Sequence, residues 1–252
     1  MRILSGSYLV WFRTDKSRAE VQAYWRGTHG QIANRIPAMQ EYLQHHFMAD
    51  DHGFWPASAG VSTAIPADCC IDGLTEVRIR SVWAGIKSAL FHMQGIARDE
   101  QNIFARVLGI MSSPLGARWW TGPYQAYAGF RIVVLMRARP GVSLHRFVER
   151  KLAPALLSAG VVELRSHLFQ TGSHLLHRTP GVRHDQPRQH AYSGLLVIGT
   201  RDRRQFDLLM RSPELATIVE TQGRHCIAMH AYAVERTYPL VLDGQPQAAT
   251  WD

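Results

Sequence analysis

One pattern constrains this chain more than any other: its order of elements runs through once and then restarts about 120 residues later. In the first pass, residues 8–12 form an apolar run that reads as a strand and closes on a turn at Arg13-Thr14-Asp15. Ser17-Arg18-Ala19-Glu20 has capping-box spacing, and Val21, Tyr24, Trp25 and Thr28 then recur at helical intervals. His29 falls on the same stripe, and Gly30 reads as the helix end. Strands are expected over 39–47 and 72–80, with a long loop at 48–71 between them and a helix over 82–93. Two positions stay open for the fourth strand, 107–111 and 119–127. The second pass repeats this order: strand 129–136, a helix from Ser143 disturbed at its end by Pro154, strand 161–169, a long loop at 170–189, strand 193–200, helical pieces at 206–210 and 213–221, and a closing strand at 226–238.

Each half therefore reads βαββαβ. A unit of this kind makes one antiparallel sheet with helices on one face, and its other face needs a cover. A tandem copy supplies that cover. The expected fold class is α+β: two fused ferredoxin-like repeats forming one pseudo-symmetric barrel of the dimeric α/β type, with a chamber between the sheets. The repeats are placed at 1–126 and 127–243, and 244–252 reads as a tail.

Composition narrows the function classes. The 252 residues are 46% hydrophobic and 19% charged, ordinary values for a globular protein. No apolar run is long enough to span a membrane, and the N-terminus lacks the apolar core of a signal peptide, so the expectation is a cytoplasmic protein without a membrane partner. Cys69 and Cys70 are adjacent, Cys226 is remote, and no CxxC occurs, so the sequence suggests neither a disulfide framework nor a zinc site. The net charge of +8 is carried mainly by arginines spread along the chain. Nucleic-acid binders concentrate such charge on one face, so the reading is a surface that favours anionic small molecules, not nucleic acid. The histidines His167, His174, His177, His184 and His190 enrich the second half at spacings that match no common metal motif.

The first half resembles the EthD family of dimeric α/β barrel proteins. The resemblance rests on Ser17–Glu20, Tyr24-Trp25-Arg26, His29-Gly30, Ile36-Pro37, Tyr42 through His46, Asp72-Gly73-Leu74-Thr75-Glu76 and Asp99-Glu100-Gln101-Asn102-Ile103-Phe104, covering roughly residues 5–110. The proline that commonly follows His-Gly in the family is Gln31 here, and the second half is similar in layout only, its counterparts of Trp25 and His29 falling near Lys151 and Ala155. The resemblance implies a small-molecule protein, with relatives among cyclases, dehydratases, decarboxylases and isomerases of aromatic or polyketide intermediates, others being accessory proteins. It implies no metal and no cofactor as a rule, although related barrels bind haem. A homodimer stays open as the assembly.

Strand alternation suggests a site. On the second strand Met39, Glu41, Leu43, His45 and Phe47 form one set, mainly apolar and assigned to the helix side; Gln40, Tyr42, Gln44 and His46 form the other, assigned to the chamber. On the third strand Thr75, Val77 and Ile79 fit the helix side, and Glu76 and Arg78 point inward. His29 and His46 are then acid/base candidates with Glu76 as the orienting carboxylate, while Trp25, Tyr42, Gln44 and Arg78 place the substrate. Plainer roles stand beside these: His29 as a cation at a helix C-terminus, Trp25 and His45 as packing, Glu76 and Arg78 as a structural ion pair. The expected function is a cofactor-independent lyase or isomerase acting on an aromatic or polyketide-like molecule. The alternatives are a non-catalytic binding or accessory protein of an oxygenase system, and a haem protein.

Overall fold

In the computed structural model, residues 4–37, 39–81, 83–85, 87, 95–96, 98–174, 179–186 and 190–247 are described. β1 (Leu4–Phe12) leads to α1 (Arg18–Tyr24), whose Ser17 and Glu20 form the full reciprocal capping box. The helix does not stop at Gly30. It widens into a π-helical turn at Trp25–His29 and continues as α2 (Gly30–Asn34). Gly30 keeps ordinary helical angles, and a Cβ there would lie 2.8 Å from the Leu240 side chain. Its glycine therefore serves close packing rather than termination.

Then follow β2 (Met39–His52), β3 (Gly73–Ile79) and β4 (Phe104–Trp119), the last joining the first of the two expected fourth-strand positions to the start of the other. The second half runs β5 (Phe130–Ala138), α3 (Leu144–Phe147), a second π turn at Val148–Leu152, α4 (Ala153–Ser158), β6 (Glu163–His174), β7 (Gly194–Thr200), α5 (Arg203–Met210), α6 (Pro213–Gln222) and β8 (Cys226–Leu242), with the short β9 (Gln245–Pro246) folded back on β8. Pro154 lies inside this continuous helical run, directly after the π turn, rather than disturbing its end. Most of the expected 82–93 helix and the last five residues of the expected tail lie outside the described residues.

The strand order is β2-β3-β1-β4 in the first half and β6-β7-β5-β8 in the second, the same permutation twice. β4 pairs with β6 and β8 pairs with β2, all antiparallel, so eight strands close into one barrel. Following the antiparallel pairs around the ring makes β1 and β5 run in the same direction, so the pseudo-two-fold lies along the barrel axis. Helices cover the outside. Val10, Val21, Trp25 and Phe104 pack beneath α1 and its π turn, and a larger apolar cluster lies beneath the helices of the second half.

The interior overturns one expectation. Where the chamber was expected between the sheets, Leu9, Phe47, Leu74, Leu108, Leu135 and Tyr232 pack against one another. The second strand is also turned the other way. Glu41, Leu43, His45 and Phe47 face the barrel interior, and Tyr42, Gln44 and His46 face the helices. Both faces of the strand are buried, so alternation sorts the two sets without saying which is inside, and a bulge between Met39 and Glu41 separates Met39, which packs with Ile36 and Val77 on the outer face, from the set it was grouped with. Glu76 and Arg78 do point inward.

Gly73 is the closest approach of helix to sheet. A Cβ there would lie 2.6 Å from Trp25 Cζ3 and 2.8 Å from the His45 carbonyl oxygen. Gly73→Ala is expected to destabilise the protein by about 1–3 kcal/mol through overpacking. A denaturant midpoint unchanged from the parent would contradict this packing.

Candidate functional site

Two buried polar systems lie on opposite faces of the first sheet. The inner one centres on Glu76. Its Oε1 accepts from His167 Nε2 at 2.7 Å and Arg165 Nε at 3.1 Å; its Oε2 accepts from His45 Nε2 at 2.6 Å and an Arg165 terminal nitrogen at 2.7 Å. Four donors fill the acceptor sites of a carboxylate. Arg165 also bonds Glu163, which accepts from Arg131 Nε at 2.8 Å. Arg78 bonds Glu41 at 3.0 Å and lies over the Trp119 ring, whose Nε1 donates to the same glutamate. Three carboxylates thus meet three guanidiniums, which is what permits charge inside a barrel. Burial opposes ionisation of Glu76, but Arg165 and the two histidine hydrogen bonds outweigh it and hold the carboxyl well below its usual range. Burial pushes His45 down, against the pull of Glu76. Neutral His45 then donates Nε2–H to Glu76 and accepts at Nδ1 from the Thr237 hydroxyl at 2.8 Å.

The outer system lies between the sheet and the helix layer. The π turn brings Trp25 and His29 to the sheet, and both are buried. His29 Nδ1 is 2.8 Å from Asp99 Oδ2, and the other Asp99 oxygen accepts from the Tyr24 hydroxyl at 2.7 Å. Desolvation would raise Asp99, yet the bonds from His29 and Tyr24 hold it below its usual value. An ionised Asp99 fixes the proton on Nδ1 and leaves Nε2, which no described side chain bonds, as the free nitrogen. Phe104 meets the His29 ring edge-on at 5.7 Å and Trp25 at 5.6 Å. Trp25 in turn stacks on His46 with centroids 4.3 Å apart, and Tyr238 closes the other side of His46 at 4.7 Å. Burial, then the charges of Arg26 and Arg18, push His46 well below its ordinary value.

Tyr8 and Tyr42 extend this face. Gln44 Nε2 donates to the Tyr42 hydroxyl at 3.1 Å and to the Trp25 carbonyl at 3.0 Å. Burial raises Tyr42 to about 12, opposed by Gln44, Thr75 and Trp25. Desolvation, then the charge of Glu100, drive the Tyr8 phenol up. Glu100 is buried and accepts from the Thr179 hydroxyl at 2.8 Å.

The expected site residues therefore divide. Trp25, His29, Tyr42, Gln44 and His46 share the helix side; Glu76 and Arg78 lie on the other face of the sheet and touch none of them. The carboxylate that orients a histidine toward a free nitrogen is Asp99, and the histidines on Glu76 are His45, read from sequence as packing, and His167. Asp99 was visible only as part of the stretch that carries the family resemblance. The inner network had a sequence signal that alternation alone passed over: Glu41, His45 and Phe47 recur as Glu163, His167 and Phe169 at one constant offset. The second half has no counterpart to the outer site. Its π turn places Val148 where Trp25 stands and Leu152 where His29 stands, rather than Lys151 and Ala155.

No family model matches the chain, and no curated protein matches it in sequence. Solved structures do. A putative monooxygenase from Lactobacillus acidophilus NCFM superposes with a TM-score of 0.55 at 11% identity, over 96% of this chain and 100% of that one. An anthrone oxidase-like protein gives 0.55 at 10% identity over 99% and 97%. A putative monooxygenase from Fusobacterium nucleatum gives 0.52 at 8% identity over 94% of each. The fold is that of the dimeric α+β barrel proteins. At these identities the likeness concerns architecture alone. No helix among the described residues is long and apolar enough to cross a membrane.

Two outcomes follow for the buried charges. Glu76→Gln leaves Arg165 without its main partner and is expected to cost about 3–5 kcal/mol in unfolding free energy, much of it recovered when Arg165→Met is added. Glu76, Asp99, His45 and His46 all hold values below their unfolded ones. The unfolded chain then binds more protons, so stability rises with pH. Tm is expected to fall as pH drops through about 6.5, from the histidines, and more steeply below about 4, from the carboxylates. A Tm that rises over that descent contradicts the assignment.

Proposed function

We propose that this chain is a small-molecule enzyme that moves protons at His29, in the space between its first sheet and the helix layer above. The observation that carries the reading is the His29–Asp99 pair: a carboxylate on Nδ1, itself steadied by Tyr24, and Nε2 left free beside an aromatic wall. A carboxylate so placed fixes the tautomer and orients the ring for proton transfer at Nε2. Trp25, Phe104 and Tyr8 suit a flat, conjugated substrate, and Tyr42 with Gln44 supplies polar groups to orient a phenolic or carbonyl oxygen. The net charge of +8 favours an anionic one. Proton abstraction beside a carbonyl, followed by elimination, ring closure or loss of carbon dioxide, makes the chain a lyase or isomerase of aromatic or polyketide-like molecules, with no cofactor in the reaction. His46, stacked and held neutral, is a binding surface in this scheme, and Glu76 is structural.

A second reading has its own support. The filled barrel interior suits a binding or accessory protein rather than a catalyst, and it predicts a retained ligand that is never turned over.

Mass spectrometry of ligands retained by the purified protein supplies the substrate class. On such a substrate, His29→Ala and Asp99→Asn are expected to lower kcat by about 10²–10⁴ with KM little changed. Full activity in His29→Ala removes the assignment. Dioxygen uptake during turnover replaces the lyase or isomerase reading with an oxygenase one, the activity named for two of the similar structures.

A further inference from the structure

The long loops that interrupt the two halves end at matching places. β3 begins at Gly73 and β7 at Gly194, and Cys69 and His190 each stand four residues before those starts. The pseudo-two-fold of the barrel relates the two positions, and the side chains meet: Cys69 Sγ lies 2.9 Å from His190 Nδ1. Asp68 completes the group. One ligand atom from each of Asp68, Cys69 and His190 lies within 4.8 Å of the others, the cysteine buried, the histidine half-buried and the aspartate exposed. On the protein side, Tyr192, two residues beyond His190, bonds His230 Nδ1 at 2.7 Å, and the buried His230 Nε2 has no hydrogen-bond partner among the described residues.

We propose that Asp68, Cys69 and His190 bind a divalent transition-metal ion of the zinc type, clamping the loop of one half to the loop of the other. One sulfur, one imidazole nitrogen and one carboxylate oxygen make a donor set that suits Zn²⁺ and leaves a fourth tetrahedral position for water. Zinc bond lengths place sulfur and nitrogen about 3.5 Å apart, so the present pair opens by about half an ångström on binding. The step is an exchange without redox change: the Cys69 thiol gives its proton to solvent as its sulfur bonds the metal. Thiolate and carboxylate together balance the dication. Burial and the Asp68 carboxylate hold the free Cys69 thiol protonated, against the charges of Arg137 and Arg106, so its proton leaves only as the metal arrives. Sequence spacing hides the site because its ligands are an adjacent pair and a residue far along the chain, brought together only by the symmetry of the barrel.

The test uses the untagged full chain, stripped with chelator and titrated calorimetrically with Zn²⁺, and in parallel with Co²⁺ followed by absorption. The expected result is one ion per chain and a thiolate-to-cobalt charge-transfer band. Cys69→Ser and His190→Ala each weaken binding by about 100-fold or more and remove or reshape the band, Asp68→Asn weakens it less, and Cys70→Ser leaves it unchanged. Absence of stoichiometric binding, binding that survives both Cys69→Ser and His190→Ala, or loss through Cys70→Ser alone overturns the proposal. Should a variant fail to fold, alkylation of the parent decides: Zn²⁺ is expected to protect Cys69 and not Cys70, and equal labelling of Cys69 with and without metal overturns the site.

Discussion

The Glu76 carboxylate is the interaction on which the rest of the structure depends. It comes from β3 in the first half, and its principal partners, Arg165 and His167, come from β6 in the second. A closed barrel must fill its interior, and charge is admitted there only when paired and fully hydrogen-bonded. Glu76 meets that condition with four donors, and Arg165 hands the remaining charge on to Glu163 and Arg131. The halves are thus joined twice: by strand pairing at the two seams, and by ion pairs through the middle. An apolar cluster around Leu9, Leu74, Leu135 and Tyr232 occupies another part of the interior.

That arrangement decides where chemistry can occur. On the inner face Glu76 has every acceptor site taken and His45 is bonded at both ring nitrogens, so neither offers a spare lone pair or proton. The outer face differs. There the helix widens into a π turn that carries both Trp25 and His29, buried against the sheet. The same device recurs in the second half with Val148 and Leu152 at those places, which makes a packed core and no site. One backbone feature therefore carries the proposed site in one copy and packing in the other, the difference lying in side chains alone.

The duplicated order of elements, the capping box at Ser17, the helix carrying Trp25 and His29, and the inward aim of Glu76 were all legible in the sequence, because each follows from local spacing and steric preference. The face of β2 was not. Period-two alternation sorts Glu41, His45 and Phe47 from Tyr42, Gln44 and His46, but it names the inner set only when one face meets water. Here both faces are buried and both sets mix polar with apolar residues, and the bulge after Met39 breaks the count.

Partners lay beyond sequence for a related reason. Asp99 is 70 residues from His29, and Glu76 is 89 from Arg165. Nothing local couples such pairs; the barrel's closure does. The sequence by itself determined where most of the strands and the helix after Ser17 lie, and that their order is made twice. Tertiary structure alone decided which charges neutralise one another and which histidine keeps a free nitrogen, since burial and pairing belong to the closed sheet and not to any segment of it.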